Sequence, residues 1–115
     1  MSVRWLVSPD MDIAYGQYNT SINSGSTLSG SRVDARKYTS ISAYGLSTSG
    51  SIFQVFINFV GVSNQTQWIQ LSSGSLVANV ITGSQHYNVP YVYTQIYNTS
   101  NTTRESGSLF IVGKY

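Results

Sequence analysis

The single histidine of the chain, His86, is the side chain best suited to acid and base chemistry near neutral pH. A serine nucleophile needs such an imidazole and also a carboxylate that orients the ring. No Asp or Glu lies between Asp34 and Glu105, so a triad would have to be assembled by the fold alone. The pattern favours a loop histidine without a catalytic role, and it predicts that the protein is not an enzyme.

Asp10 and Asp12 stand two residues apart, a spacing that could contribute to a calcium site. The glycine and the further acidic residues of a calcium loop are missing, so a role in a turn after Pro9 is favoured. The glycines of Ser24–Ser31 lack the lysine that follows in a phosphate-binding loop, and the chain has no cysteine. We therefore expect no metal ion and no cofactor.

From Tyr38 to Thr103 the chain contains no Asp, Glu, Lys or Arg. Charged residues make up 9% of its 115 residues, against 41% hydrophobic and 13% aromatic residues, which is typical of one folded domain. Six basic and four acidic residues are too few for a nucleic-acid footprint. The longest apolar run is too short to cross a bilayer. Neither nucleic acid nor a membrane is an expected partner.

Ser-Gly-Ser triplets recur along the chain, and each is typical of a chain reversal. Between them, β-branched and aromatic residues alternate with polar ones, whereas apolar residues do not follow a helical spacing. The expected strands are 37–44, 52–60, 68–71, 76–82, 91–97 and 108–112. The sequence thus predicts an all-β fold, a β-sandwich or jelly roll of about 7–8 antiparallel strands with an N-terminal arm.

Two of these segments indicate which side chains face the core. Residues 53, 55, 57 and 59 fall on one face of their strand, and we expect all four to point inward. In 91–97, the aliphatic set Val92, Thr94 and Ile96 is expected inward, with tyrosines on the other face. Trp68 is expected in the core.

Residues 1–31 differ in composition from the rest, because Asn19–Ser31 is almost entirely Ser, Thr, Asn and Gly. We interpret 1–31 as an N-terminal arm or edge strand with a Ser/Gly-rich linker, and 32–115 as the β-sandwich domain. An ordinary first hairpin of the same domain is the alternative. Met1–Val7 is too short for the apolar part of a signal peptide, so export is not expected.

Tyrosine and tryptophan bury a large area at low entropic cost and still offer a hydrogen bond, which suits protein interfaces and sugar stacking. Subunit contacts are favoured over sugar binding, because no carboxylate lies near the densest tyrosine cluster in sequence. The expected interface residues are Trp5, Tyr15, Tyr18, Tyr87, Tyr91, Tyr93 and Tyr97.

The segment Ser63–Leu71, the strand start Tyr91–Tyr93 and the closing Gly107–Val112 resemble the small β-sandwich modules of bacteriophage decoration, baseplate and tail proteins. In that pattern a Ser-Asn-Asp-Gly-Thr turn precedes a Trp-x-x-Leu strand and a Tyr-Val-Arg strand follows. The chain has Gln65 in place of Asp-Gly and Tyr93 in place of Arg. The resemblance covers about residues 33–115 and implies a sandwich fold, which carbohydrate-binding modules share.

These observations predict a virion structural protein, a capsid decoration or tail-surface subunit made in the host cytoplasm. The expected partners are copies of the chain, as a homo-oligomer with a trimer favoured, and a major capsid or tail protein. A glycan- or receptor-binding module is the first alternative. A subunit of an extracellular filament, with Met1–Tyr18 exchanged as a donor strand, is the second.

Overall fold

A computed structural model describes residues 10–49, 51–64 and 66–115. The described residues form nine β-strands and no helix, so none of them belongs to a helix that could cross a membrane. The strands are β1 (Met11–Ile22), β2 (Thr27–Ser29), β3 (Val33–Asp34), β4 (Ser40–Ser47), β5 (Ile52–Asn58), β6 (Ile69–Ser75), β7 (Thr82–Tyr87), β8 (Tyr91–Tyr97) and β9 (Glu105–Lys114).

The strands form two antiparallel sheets. Sheet A has the order β1-β9-β4-β7, and sheet B has the order β2-β8-β5-β6, with β3 beside β2 on the same edge of β8. The first strand therefore pairs with the last, β2 and β3 with β8, β4 with β7, and β5 with β6. This nested pairing is the jelly-roll arrangement, so the predicted fold class is confirmed.

The core lies between the two sheets, where every second residue of the central strands points inward. Val55 in β5, Val92 in β8 and Leu109 and Ile111 in β9 have no exposed surface. Each such side chain contributes about 1.5–3 kcal/mol by its burial. The expected inward set of β8 is confirmed, since Val92, Thr94 and Ile96 are all buried.

The buried side chains of Asn58 and Asn98 fix the loops at the ends of β5 and β8, respectively. The side-chain Oδ1 of Asn58 accepts hydrogen bonds from Val60 N (2.6 Å) and Gly61 N (3.4 Å), which turns the chain out of the sheet. The strand ends there, and Phe59 is 67% exposed. The inward position predicted for Phe59 is therefore wrong.

Residues 11–31 belong to the same sandwich. β1 pairs with β9 as the edge strand of sheet A, which is the edge-strand form of the sequence interpretation, and β2 adds to sheet B. The backbone groups of this region complete both sheets, and the domain division at residue 31 stays a prediction. The part of the arm prediction that concerns residues 1–9 lies outside the described residues.

The segment 76–82 was expected as a strand and forms a loop. Asn79 has φ 60°, and Val80 N donates to Val77 O at 3.0 Å in a tight turn. A turn with a left-handed residue cannot continue a strand, so only Leu76 is buried and β7 begins at Thr82.

Candidate functional site

The outward surface of sheet A is largely apolar. Its outward residues pair across the strands, so Ile13 lies beside Val112, and Tyr44 lies beside Phe110. We call this surface face A; it comprises Ile13, Gly16, Tyr18, Ser42, Tyr44, Leu46, Gln85, Tyr87, Phe110 and Val112. Among the described residues, its nearest charged neighbour along β9 is Lys114, at one end.

The rings of face A pack against one another over the sheet. The ring centroids of Tyr18 and Phe110 lie 4.9 Å apart at 70°, an edge-to-face contact. Tyr44 lies over Gly83, where an added Cβ would stand 2.7 Å from the ring. Tyr18 is nevertheless 68% exposed and Tyr87 69% exposed. Antiparallel sheets facing water usually place polar residues outward, and a contiguous apolar face instead indicates an interaction surface.

The outward surface of sheet B, face B, carries a row of neutral hydrogen-bonding side chains. Gln95 in β8 lies opposite Gln54 in β5, and its amide nitrogen donates to the Gln54 amide oxygen at 2.6 Å. The Gln54 nitrogen donates in turn to the Gln70 oxygen of β6 at 3.0 Å. The Ser29 hydroxyl of β2 donates to the Gln95 oxygen at 3.4 Å. The row crosses all of sheet B and ends on the edge strand β6.

Next to this row, face B carries a closed aromatic cluster. Phe56 and Tyr93 stack at 4.9 Å with an interplanar angle of 9°, and the Trp68 ring meets Tyr93 edgewise at 4.8 Å. The Arg32 guanidinium lies over both, 5.5 Å from the Trp68 centroid and 5.7 Å from that of Tyr93. Trp68 is half-buried in this cluster on the outside of the sheet, so its predicted place in the core is wrong. Burial raises the pKa of Tyr93.

Most charged side chains lie at one end of the sandwich. The Asp12 carboxylate accepts hydrogen bonds from the hydroxyls of Tyr38 (3.1 Å) and Tyr115, and Lys37 Nζ lies 3.9 Å from it. The Tyr115 hydrogen bond is the main reason why the pKa of Asp12 lies below its ordinary value. Asp12 therefore lies in β1 and ties the C-terminus to the sheet, instead of capping a turn as the sequence suggested.

At the same end, Arg36 forms a bidentate pair with Asp34, with nitrogen–oxygen distances of 2.9 and 2.7 Å. This hydrogen-bonded pair lowers the pKa of Asp34 and raises that of Arg36. Arg36 also lies over the ring of Tyr91, at 5.2 Å. Tyr91 is thus covered by a cation, which leaves less of its ring for a partner.

His86 lies on β7, so its predicted place in a loop is wrong. Its Nε2 is 2.7 Å from Ser84 Oγ, which is 3.5 Å from Ser72 Oγ of β6. Partial burial lowers the pKa of His86. A cavity of about 180 Å³ lies beside these serines, with Phe53 in its wall. Among the described residues, no three His, Cys, Asp or Glu side chains converge to hold a metal ion.

The predicted interface tyrosines are not brought together. Tyr18 and Tyr87 lie on face A, whereas Tyr91, Tyr93 and Tyr97 lie on face B. Tyr15 is half-buried, packs against the core and donates a hydrogen bond to the Gln17 side chain. Trp5 lies outside the described residues.

The sequence reasoning missed the centre of face A, which is formed by Tyr44, Leu46, Phe110 and Val112. The signal is in the sequence of β9, where the inward residues Leu109 and Ile111 and the outward residues Phe110 and Val112 are all apolar. A strand that is apolar on both sides is covered on both sides, by the core on one and by a further surface on the other. That signal, read for 108–112, would have indicated the face.

No family model matches the chain, and no curated protein matches its sequence. Its fold is similar to several solved structures, including three with TM-scores above 0.5. They are the PBSX exported protein XepA (0.61, 12% identity, 87% of this chain and 37% of that chain), PirA (0.56, 7%, 90% and 96%) and the K2 cleaved adhesin domain of Lys-gingipain (0.54, 14%, 87% and 70%). The chain thus spans little more than a third of XepA.

At these identities the likenesses show the fold alone. They place the chain among β-rich modules, and the resemblance to phage decoration, baseplate and tail modules is supported at that level. Membership in that class stays a prediction, because no family model or sequence match supports it.

Proposed function

We propose that this protein is a structural subunit of a particle surface, a capsid decoration or tail-surface protein of a virion, which associates with copies of itself and with a capsid or tail protein. Face A carries the proposal, because Tyr18 and Tyr87 extend from a packed apolar surface whose charged residue among those described, Lys114, lies at one end. Such a surface favours burial against a partner of similar chemistry. The role includes no catalytic step.

The fold similarity to the phage exported protein XepA supports this setting, although the chain matches only part of that protein. The glycan-binding alternative has weaker support. Sugar stacking needs an open ring face, and the faces of Tyr93 are occupied by Phe56 and Arg32. The amides of Gln54 and Gln95 already bind each other.

The test is the molar mass of the purified protein, measured by sedimentation in about 0.1 M and about 1 M NaCl. We expect an oligomer, for which the sequence favours three copies, and we expect its mass to be unchanged by salt because apolar burial is not screened. Tyr18→Lys should lower the mass by placing charge in face A. The matched control, Tyr97→Lys, makes the same exchange on face B and should leave the mass unchanged.

A mass reduced only by Tyr97→Lys would contradict the role of face A. Electron microscopy of native particles then tests the setting, because a decoration protein forms a symmetric array on a capsid or tail. Native particles that lack this chain, or a monomer at every concentration and salt, would overturn the proposal.

A further inference from the structure

β6 is the outer strand of sheet B; within residues 10–49, 51–64 and 66–115 it pairs with β5 on one side and with no strand on the other. The backbone N–H and C=O groups on its open side are a template for a further strand. Edge strands usually carry a proline, a lysine or another charged side chain, each of which prevents such pairing. The sequence of β6, Ile69–Ser75, contains none of these.

The side chains of β6 add to its capacity for pairing. Ile69 is 53% exposed and Leu71 is 40% exposed, so an added strand would remove apolar surface from water. The amide row of face B ends on this strand at Gln70, which accepts its hydrogen bond from Gln54. A strand added here therefore meets amide, hydroxyl and aliphatic groups and needs no counter-ion.

Among the other described edges, β7 of sheet A is also uncharged and pairs regularly with β4, but it presents the large exposed ring of Tyr87 in place of a run of small residues. The remaining edges are less open. β2 and β3 have only three and two residues. β1 has two register shifts against β9, and such irregularities twist an edge away from flat pairing. β6 has one shift, at Leu71, after which Ser72–Ser75 pair regularly with Ile52–Val55. The regular stretch of small residues is thus the part of β6 that can accept a partner.

We propose that β6 pairs antiparallel with β6 of a second copy of this chain, so that two copies of sheet B form one continuous sheet. The inference rests on the self-association proposed above, but it uses a different surface from face A. In a two-fold contact the same strand lies on both sides, and the residue on the axis meets its own equivalent, so a charged strand repels its copy. β6 is free of charge, and the stretch Ser72–Ser75 adds little bulk.

The pairing has a defined register. Ser73 and Ser75 share the outward side with Gln54 and Ile52, whereas Ser72 and Gly74 face inward with Val55 and Phe53. Opposite residues must lie on the same side of a sheet. A register with Ser73 opposite Ser73 of the second copy meets this condition, because Ser72 then faces Gly74. The two Ser73 Cβ atoms would stand about 4.5–5.5 Å apart.

The experiment uses Ser73→Lys and Ser73→Cys in the full chain. Ser73 is exposed, so neither exchange disturbs the isolated subunit, and the chain has no other cysteine. A two-fold contact joins units in pairs, so the wild type should contain twice as many copies as face A alone would join. Ser73→Lys sets two lysines opposite each other and should halve this molar mass. Ser73→Cys should form a disulfide between copies under mild oxidation. The matched controls, Ser21→Lys and Ser21→Cys, make the same exchanges at an exposed position of the edge strand β1.

The outcomes separate this inference from the proposed function. Loss of mass with Ser73→Lys, together with a cross-link at position 73 and none at 21, supports β6 pairing. An unchanged mass with Ser73→Lys overturns it, even where Tyr18→Lys still dissociates the oligomer. Cross-linking equally efficient at both positions also overturns it. A wild-type monomer at every concentration removes both proposals.

Discussion

The ring of Phe53, in β5 of sheet B, fills the space that a side chain on Gly45, in β4 of sheet A, would occupy. A Cβ built on Gly45 would lie 2.6 Å from the Phe53 ring, closer than real Cβ contacts come. Phe53 is 4% exposed. The distance between the two sheets at this point is therefore set by a glycine against a phenylalanine.

Gly45→Ala should destabilise the fold by about 1–3 kcal/mol, because the added methyl overpacks the core. Gly74→Ala is the matched control, since it lies in a strand and nothing stands within 4 Å of its added Cβ. Urea unfolding of both variants measures the difference. Equal midpoints for the two would contradict the close packing of Gly45 on Phe53.

Alkaline pH should weaken the fold through Tyr38. Burial, with the hydrogen bond to Asp12, raises the pKa of Tyr38 from its ordinary value near 10 to about 12. The folded state thus favours the neutral phenol. The stabilisation that Tyr38 contributes is complete below pH 10 and is lost as the pH rises towards 12. Thermal unfolding from pH 9 to about 12 measures it, with Tyr38→Phe as the comparison. A variant with the same steep decline as the wild type would show that other groups cause it.

Asn98 joins two loops at the end of the sandwich opposite the charged cluster. Its amide nitrogen donates to Ile22 O (3.1 Å) and Thr103 O (2.9 Å), and its oxygen accepts from Ser100 N at 3.0 Å. Asn98→Ala leaves these buried groups unpaired and should cost about 1–3 kcal/mol or more. The exposed neighbour Asn101 gives the control, Asn101→Ala, which should change the unfolding free energy little. If both exchanges change the unfolding free energy equally little, Asn98 does not hold the two loops together.

Mild acid should destabilise the protein through His86. Burial lowers the pKa of His86, so the unfolded chain takes up a proton before the folded chain does. The stabilisation from neutral His86 is complete above the ordinary pKa of histidine near 6.5. It falls as the pH drops through the lower pKa that His86 has in the folded chain. His86→Gln should flatten the dependence of the unfolding free energy on pH between about 7 and 5. If the unfolding free energy of this variant changes with pH as steeply as that of the wild type, carboxylates cause the pH dependence.

The sequence predicted the fold class and the strands that have a buried, alternating side. β5 and β8 were placed well, because Val55, Val92 and Ile96 repeat with a period of two. β7 was missed, since its residues Thr82–Tyr87 carry almost no apolar alternation and its position is held by pairing with β4. An edge strand of this kind obtains its structure from its neighbour, which a local pattern cannot show.

The sequence predicted the chemical character of the candidate surface but only part of its location. A tyrosine-rich exterior with few charges followed from composition, but proximity in sequence wrongly grouped Tyr87 with Tyr91 and Tyr93. The turn at Asn88, with φ 56°, sends the chain from β7 in sheet A to β8 in sheet B, so the two sides of this turn face opposite directions. Which sheet a strand joins depends on long-range pairing, and that information lies in no single segment.

The pairing of Met11 with Lys114 has a consequence for biosynthesis. A nascent chain emerging from the ribosome exposes β1 long before its hydrogen-bonding neighbour has been translated. Because the long loop between these two residues must close before they can pair, native structure forms late and slowly. Until β9 has been synthesised, unsatisfied strands are available to other nascent chains, so crowded polysomes are the setting in which this protein is most prone to misassembly.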